Sequence, residues 1–106
     1  MVGCRSSGVL SASSVISVNR CRLVSVHVSC LADAADTFTL KIYDSKDATL
    51  TGNTELARLK FSGGATKSSN VEFDMHNVLC GEGLYAEVTQ TGSTPTSYIA
   101  YSVEFN

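Results

Sequence analysis

Alternation of small or apolar side chains with polar ones is the main pattern of this chain, and its longest example is Arg20–Leu31 (RCRLVSVHVSCL). The apolar set of one parity comprises Val24, Val26, Val28 and Cys30, and the polar set of the other comprises Ser25, His27 and Ser29. Because successive side chains of a strand point to opposite faces, this pattern predicts a β-strand with one buried face and one wetter face.

Segments with the same alternation continue to the C-terminus and are separated by turn-forming residues. They predict strands at Thr37–Tyr43, Glu55–Phe61, Asn70–Met75, Leu84–Thr89 and Tyr98–Phe105, with a loop at His76–Gly83. A short helix is an alternative around Leu56 and Leu59, which share helical spacing, but we predict a strand there. With the short apolar pieces Val9–Leu10 and Val15–Val18, seven or eight strands result. The sequence therefore predicts an all-β fold, an antiparallel β-sandwich of jelly-roll type.

Length and charge narrow the classes of function. A chain of 106 residues supports one domain, with an N-terminal arm or edge segment at residues 1–19 and a sandwich at residues 20–106. Charged residues make up only 17%, and a surface rich in Ser and Thr is easier to desolvate against a neighbour. The net charge is −2 and the basic residues are scattered, which disfavours nucleic-acid binding. We expect no membrane partner and no secretory signal, because the chain has no long apolar stretch.

Four cysteines could form two disulfides, but their spacing argues against this. Cys21 and Cys30 have opposite parity on one predicted strand and would lie ~30 Å apart, too far to bond to each other. Pairing of either with Cys4 or Cys80 stays geometrically open. Because the chain has no CxxC motif and no apparent export signal, we expect free, buried cysteines of a protein made in a reducing cytosol.

Residue types that could carry chemistry lack a recognisable spacing. We interpret His27 as a surface residue, and His76 and Cys80, four positions apart, lack further metal ligands. Turn formation explains the acidic residues of two loops better than calcium binding does: Asp33, Asp36, Asp44 and Asp47. No two of the glutamates have a spacing that fixes a carboxylate pair for glycoside chemistry: Glu55, Glu72, Glu82, Glu87 and Glu104.

Aromatic and glycine-rich segments also carry no specific signal. The chain has no Trp, so a sugar-stacking platform would depend on its tyrosines, which are more often rim residues of a core: Tyr43, Tyr85, Tyr98 and Tyr101. Gly81–Val88 (GEGLYAEV) is similar to a phosphate loop, yet it precedes a predicted strand rather than a helix. We therefore expect a protein that is not an enzyme, with no catalytic residue, no metal and no cofactor.

Three segments resemble a known group of proteins: Lys41–Asp44 within FTLKIYDS, Gly83–Thr89 (GLYAEVT) and Tyr98–Phe105 (YIAYSVEF). Over residues 20–106, their order resembles small β-sandwich virion proteins of tailed bacteriophages. The resemblance is a pattern of strands and turns, and it includes no catalytic residue. The Ser-rich segment Val2–Ser14 is less typical of the group, and we expect it to be an arm that reaches a neighbouring subunit.

The resemblance implies a capsid cement or decoration protein. Such a protein would be made in the host cytoplasm and would bind the major capsid protein on the virion surface, as a homo-oligomer and most commonly as a trimer. The alternative is a receptor-binding or glycan-binding module of a fibre, or a small neck or tail component. A cement protein should bind the assembled capsid lattice, whereas a glycan module should bind free sugar.

Overall fold

A computed structural model of the chain describes residues 4–33, 35–63, 67–92 and 95–106. In this part of the chain there are eight strands and no helix, which confirms the predicted all-β sandwich. The strands are β1 (Arg5–Ser6), β2 (Ser14–Ser17), β3 (Cys21–Ala32), β4 (Thr37–Asp44), β5 (Thr54–Ser62), β6 (Lys67–Cys80), β7 (Leu84–Thr91) and β8 (Tyr98–Phe105).

The strand pairing is that of one long antiparallel hairpin rolled on itself. β1 pairs with β8, β2 with β7, β3 with β6 and β4 with β5, all antiparallel. Rolling then brings β3 beside β8 and β4 beside β7. The result is two packed four-stranded sheets, with orders β1-β8-β3-β6 and β2-β7-β4-β5. This is the jelly-roll arrangement that the sequence predicts.

The core lies between the two sheets, and most of the predicted inward positions form it. All four predicted residues of β8 are buried, and β4 contributes three more: Ile99, Tyr101, Val103, Phe105, Phe38, Leu40 and Ile42. On β5 Leu59 is buried, while Ala57 and Phe61 are partly buried against the core, so this segment is a strand and not a helix. Alternation therefore located the core along β4, β5 and β8, whereas Phe73 of the apolar set on β6 is 45% exposed.

A β-bulge in β3 corrects the predicted parity of its first residues. The register of β3 shifts between Leu23 and Ser25, so that Val24 is an additional residue relative to β8. Such a residue reverses the alternation, and Cys21 and Leu23 face the core while Val24 is only half-buried. Cys21 and Cys30 therefore share the inner face, and the opposite parity predicted for them is wrong. Cys4 also differs from the prediction, because it is exposed.

The loop predicted at His76–Gly83 is also wrong, because β6 continues as far as Cys80. His76 and Asn77 have φ angles of 53° and 57°, in the left-handed region, so the strand passes through an irregularity there. Asp74 stabilises it, since its carboxylate accepts a 2.7 Å hydrogen bond from the His76 backbone N–H. A polar pair inside a strand gives the sequence signal of a turn, although here the pairing with β3 resumes at Val78.

The N-terminal segment pairs with its own chain. β1 adds to the edge of β8 and β2 adds to the edge of β7, so the segment contributes one edge strand to each sheet. Between them, Leu10 exchanges two backbone hydrogen bonds with Tyr101, of 2.7 and 2.8 Å. The Tyr101 hydroxyl donates a 2.6 Å hydrogen bond to the carbonyl of Ala12. This phenol is buried, and burial raises the pKa of Tyr101 to about 12.

Tyr101→Phe should lower the free energy of unfolding by about 1 kcal/mol, because it removes the hydroxyl that holds Ala12 while keeping the buried ring. Urea unfolding followed by far-UV circular dichroism measures the difference. Tyr98→Phe is the matched control, because Tyr98 lies on the same strand and is half-exposed. Equal losses in the two variants would contradict this role of the hydroxyl.

Candidate functional site

The outer face of the β1-β8-β3-β6 sheet carries a group of polar side chains from three strands, here called the polar cluster: Ser25, His27, Glu72 and Glu104. The register explains the grouping. Ser25 of β3 lies opposite Glu104 of β8, and His27 lies opposite Glu72 of β6. Cross-strand neighbours on one face are close enough for their side chains to interact.

Glu104 is the centre of the hydrogen bonds within the polar cluster. Its Oε1 accepts a 2.6 Å bond from the Ser25 hydroxyl and lies 2.8 Å from Nε2 of His27. The other ring nitrogen, Nδ1, lies 3.4 Å from Oε2 of Glu72. His27 thus has a carboxylate beside each ring nitrogen. Two hydrogen bonds lower the pKa of Glu104, and the one from Ser25 has a larger effect than the one from His27.

Ser25, His27 and Glu72 contact one another in that order, which is also the order of the serine, histidine and acid in a catalytic triad. Ser25 Oγ lies 3.1 Å from Nε2 of His27, on the side of the ring away from Glu72. The hydroxyl, however, donates its hydrogen bond to Glu104, whereas the serine of a catalytic triad donates to the histidine. The contacts form a hydrogen-bonded network across three strands.

A shallow depression of ≈ 400 Å³ lies next to the polar cluster. Polar groups of Ser29, Asn70 and Ser102 line it, together with His27 and Glu72 of the cluster. The side chain of Val9 borders it and is 77% exposed. Hydroxyl, amide and carboxylate groups beside one exposed apolar side chain can form hydrogen bonds with a polar ligand, but the depression is wide open to solvent.

A second groove, of ≈ 290 Å³, lies between the edge strands β5 and β6 and is here called the edge groove. Its lining is four apolar side chains and two exposed cationic ones, and Phe73 is 45% exposed: Leu59, Phe61, Val71, Phe73, Arg58 and Lys60. Among the described residues, β5 pairs with β4 alone and β6 with β3 alone, so each strand has one edge without a partner strand at this side of the sandwich. Edges of this kind are where another strand or subunit can add.

The pairs considered from sequence do not form sites. The His76 side chain is exposed whereas Cys80 is fully buried, so they do not meet as metal ligands. Among the residues that the structure describes, no three His, Cys, Asp or Glu side chains could hold a metal ion together. Of the glutamates, Glu55 pairs with Arg58 at 2.8 Å and Glu87 with Lys41 at 3.9 Å.

The acidic turn residues accept hydrogen bonds from backbone and hydroxyl groups, and several of these bonds come from other loops of the chain. The Asp44 carboxylate accepts hydrogen bonds from the backbone N–H groups of Gly81, Glu82 and Gly83, at 2.9, 2.8 and 3.3 Å. The glycine-rich segment that is similar to a phosphate loop therefore does cradle an anion, and that anion is the protein's own carboxylate. Gly83 has a second constraint, since a Cβ there would lie 2.3 Å from the Ser17 carbonyl oxygen.

The other acidic turn residues connect loops. Asp47 accepts a 2.9 Å bond from the Thr49 N–H within the β4–β5 loop. Thr96 donates to Asp33 at 2.8 Å and Ser97 donates to the buried Asp36, so the β3–β4 turn is tied to the β7–β8 connection. The tyrosines are divided between the sheets, with Tyr43 and Tyr85 opposite each other on one and the remaining two on β8.

Sequence reasoning missed the polar cluster because it considered His27 and the glutamates one at a time. The available signal was parity, which put His27 and Ser25 on the wetter face, but the partner strands and their register could not be read from the sequence.

The described residues contain no helix that is long and apolar enough to cross a membrane. Searches of protein-family models, curated proteins and solved structures found no match to this chain.

Glu104→Gln should reduce stability at about pH 5.5 and have less effect as the solution is acidified. The lowered pKa of Glu104 means that its ionised form stabilises the fold. This contribution is fully present above the unfolded pKa of about 4.3 and disappears as the pH falls through the lower folded value. Urea midpoints of wild type and variant across this range measure it.

Glu82→Gln is the control, because Glu82 is exposed in the β6–β7 turn and takes part there through its backbone N–H. Its urea midpoint should follow that of the wild type at every pH. If the difference in urea midpoint between the wild type and Glu104→Gln stayed constant down to about pH 2, the assigned direction of the pKa shift would be contradicted.

Proposed function

We propose that this chain is a structural virion protein, a capsid cement or decoration protein of a tailed bacteriophage that binds the capsid lattice and stabilises it. The observation that carries the proposal is the jelly-roll order of the strands, β1-β8-β3-β6 against β2-β7-β4-β5. Viral capsid proteins, lectins and cupins use this architecture. The architecture suggests this role by analogy with other proteins of the same fold. Among those classes, the resemblance of residues 20–106 to virion proteins favours the virion assignment.

The surface supports a role in contact with other subunits. Several large apolar side chains are exposed on different strands and loops: Val9, Val15, Val18, Phe73, Leu79 and Tyr98. Few of the residues are charged, which lowers the cost of removing the surface from water. Repetition of a modest contact over many symmetry-related copies gives a large total effect, so each single contact can be weak.

The proposed partners are the major capsid protein and further copies of this chain. The edge groove is the surface that favours self-association, because it combines exposed Phe73 with two unpaired strand edges. A second copy can cover the apolar side chains and add strands at the same time. We propose a homo-oligomer, with a trimer as the specific state.

Light scattering coupled to gel filtration should give a mass of more than one chain per particle at tens of micromolar. Phe73→Lys should shift the particle towards the monomer, since it introduces a charge into the edge groove. Val18→Lys is the control, because Val18 is exposed outside that groove. A monomeric wild-type protein, or equal effects of the two variants, would contradict self-association through the groove.

The depression beside the polar cluster favours a second candidate, a receptor-binding or glycan-binding module. Its hydroxyl, amide and carboxylate groups are of the kind that bind sugar hydroxyls. Lectins also use the jelly roll. The lack of Trp counts against this candidate, because aromatic rings commonly stack on sugars.

Virions depleted of the protein distinguish the two candidates. If the protein is a cement, depleted heads should lose DNA at a lower temperature or after a milder osmotic shock than intact heads. Addition of the purified wild-type protein should restore DNA retention. Depleted heads that keep their DNA as well as intact heads but no longer adsorb to cells would refute the cement role and support receptor binding.

A further inference from the structure

Cys21 and Cys80 occupy positions at which a disulfide can form. Cys21 begins β3, Cys80 ends β6, and the register places them directly opposite each other. Opposite residues on antiparallel strands have Cα atoms about 4.5–5.5 Å apart, within the range of about 4.4–6.8 Å that disulfides span. Both are free thiols in this structure, and their side chains are within hydrogen-bonding reach of each other.

The burial of the two thiols determines which of them meets an oxidant first and at which pH they react. Cys80 is fully buried and Cys21 is 7% exposed, so an oxidant meets Cys21 first. Burial is the main cause that raises the pKa of both thiols, that of Cys80 to about 12. Thiolate, the reactive form, is therefore scarce at neutral pH, and reaction is favoured by mildly alkaline solution.

We propose that an oxidant of the disulfide class, such as oxidised glutathione, converts Cys21 and Cys80 into an intramolecular disulfide that staples the start of β3 to the end of β6. The Cys21 thiolate attacks the S–S bond of the oxidant and releases one glutathione. The Cys80 thiolate then attacks the mixed disulfide and releases the second. One S–S bond forms, one breaks, and the two thiol protons pass to the two glutathione sulfurs.

The staple closes a loop that contains most of the sandwich. The segment between the two cysteines holds roughly 60 residues, and cross-linking a long loop restricts the unfolded chain. The bond also joins β3 to the end of β6, next to the turn that Asp44 holds. This inference does not depend on the proposed function, because it follows from the register and burial of the two residues.

The test uses the full chain with Cys4→Ser in every sample, because Cys4 is exposed and would otherwise react between molecules. The folded protein is incubated with oxidised glutathione at about pH 8.5, where more of the thiols are ionised. It is then denatured and alkylated without reductant. Intact mass and a non-reducing peptide map follow, with thermal unfolding measured in parallel.

Two of the three remaining thiols should resist alkylation, and the peptide map should contain a Cys21–Cys80 link. The midpoint of thermal unfolding should rise by about 5 °C or more. Cys30→Ala is the matched control, since Cys30 is buried on the same face of β3 and its loss should leave the link intact. Cys21→Ala and Cys80→Ala should each abolish the rise.

Alkylation of all three thiols after oxidation would overturn the proposal, and so would a link that includes Cys30. A Cys21–Cys80 link without a higher unfolding midpoint would refute its role as a staple. The peptide map of the chain with only Cys4 replaced decides the question even if an alanine variant fails to fold.

Discussion

Strand β3 is hydrogen-bonded on both sides along nearly its whole length, to β6 from Cys21 to Ala32 and to β8 from Leu23 to Leu31. Its alternation therefore sets the faces of three strands at once. A slip of one residue would exchange the buried Val26 for the polar His27 and would open the core. The polar cluster on the outer face and the valines on the inner face are two consequences of the same register.

The strand edges at the two sides of the sandwich are covered to different extents. At one side of the sandwich the N-terminal segment supplies both edge strands, and the Tyr101 hydroxyl and backbone hold the segment between them. At the other side, β5 and β6 each have an edge that no strand of the described residues covers, with the edge groove between them. Because edges of this kind and exposed apolar side chains both favour association, the proposed self-association would use the side away from the N-terminal segment.

Alternation predicted the regular strands and most of the core, because it depends only on the two-residue period of a strand. It failed at Val24 and at His76 and Asn77, where an additional residue or a left-handed backbone changes the parity without changing the amino-acid pattern. Alternation also could not predict which distant segments pair with each other. The contact of His27 with Glu104 and the opposition of Cys21 and Cys80 depend on register, which local patterns do not encode.

Charge distribution distinguishes the two faces that meet along β6. Arg58 beside the edge groove forms two 2.8 Å hydrogen bonds with Glu55 on its own strand. A subunit that covers the groove would bury Arg58 as a paired charge, which costs less than burying a lone one. Lys60 also lines the groove and is exposed, so the covering subunit would have to leave its ammonium group in water or place a carboxylate beside it. On the outer face Glu72 and Asp74 are exposed and carry the same sign. Their hydration opposes close packing against that face, so the proposed association through the edge groove would leave the polar cluster in contact with water.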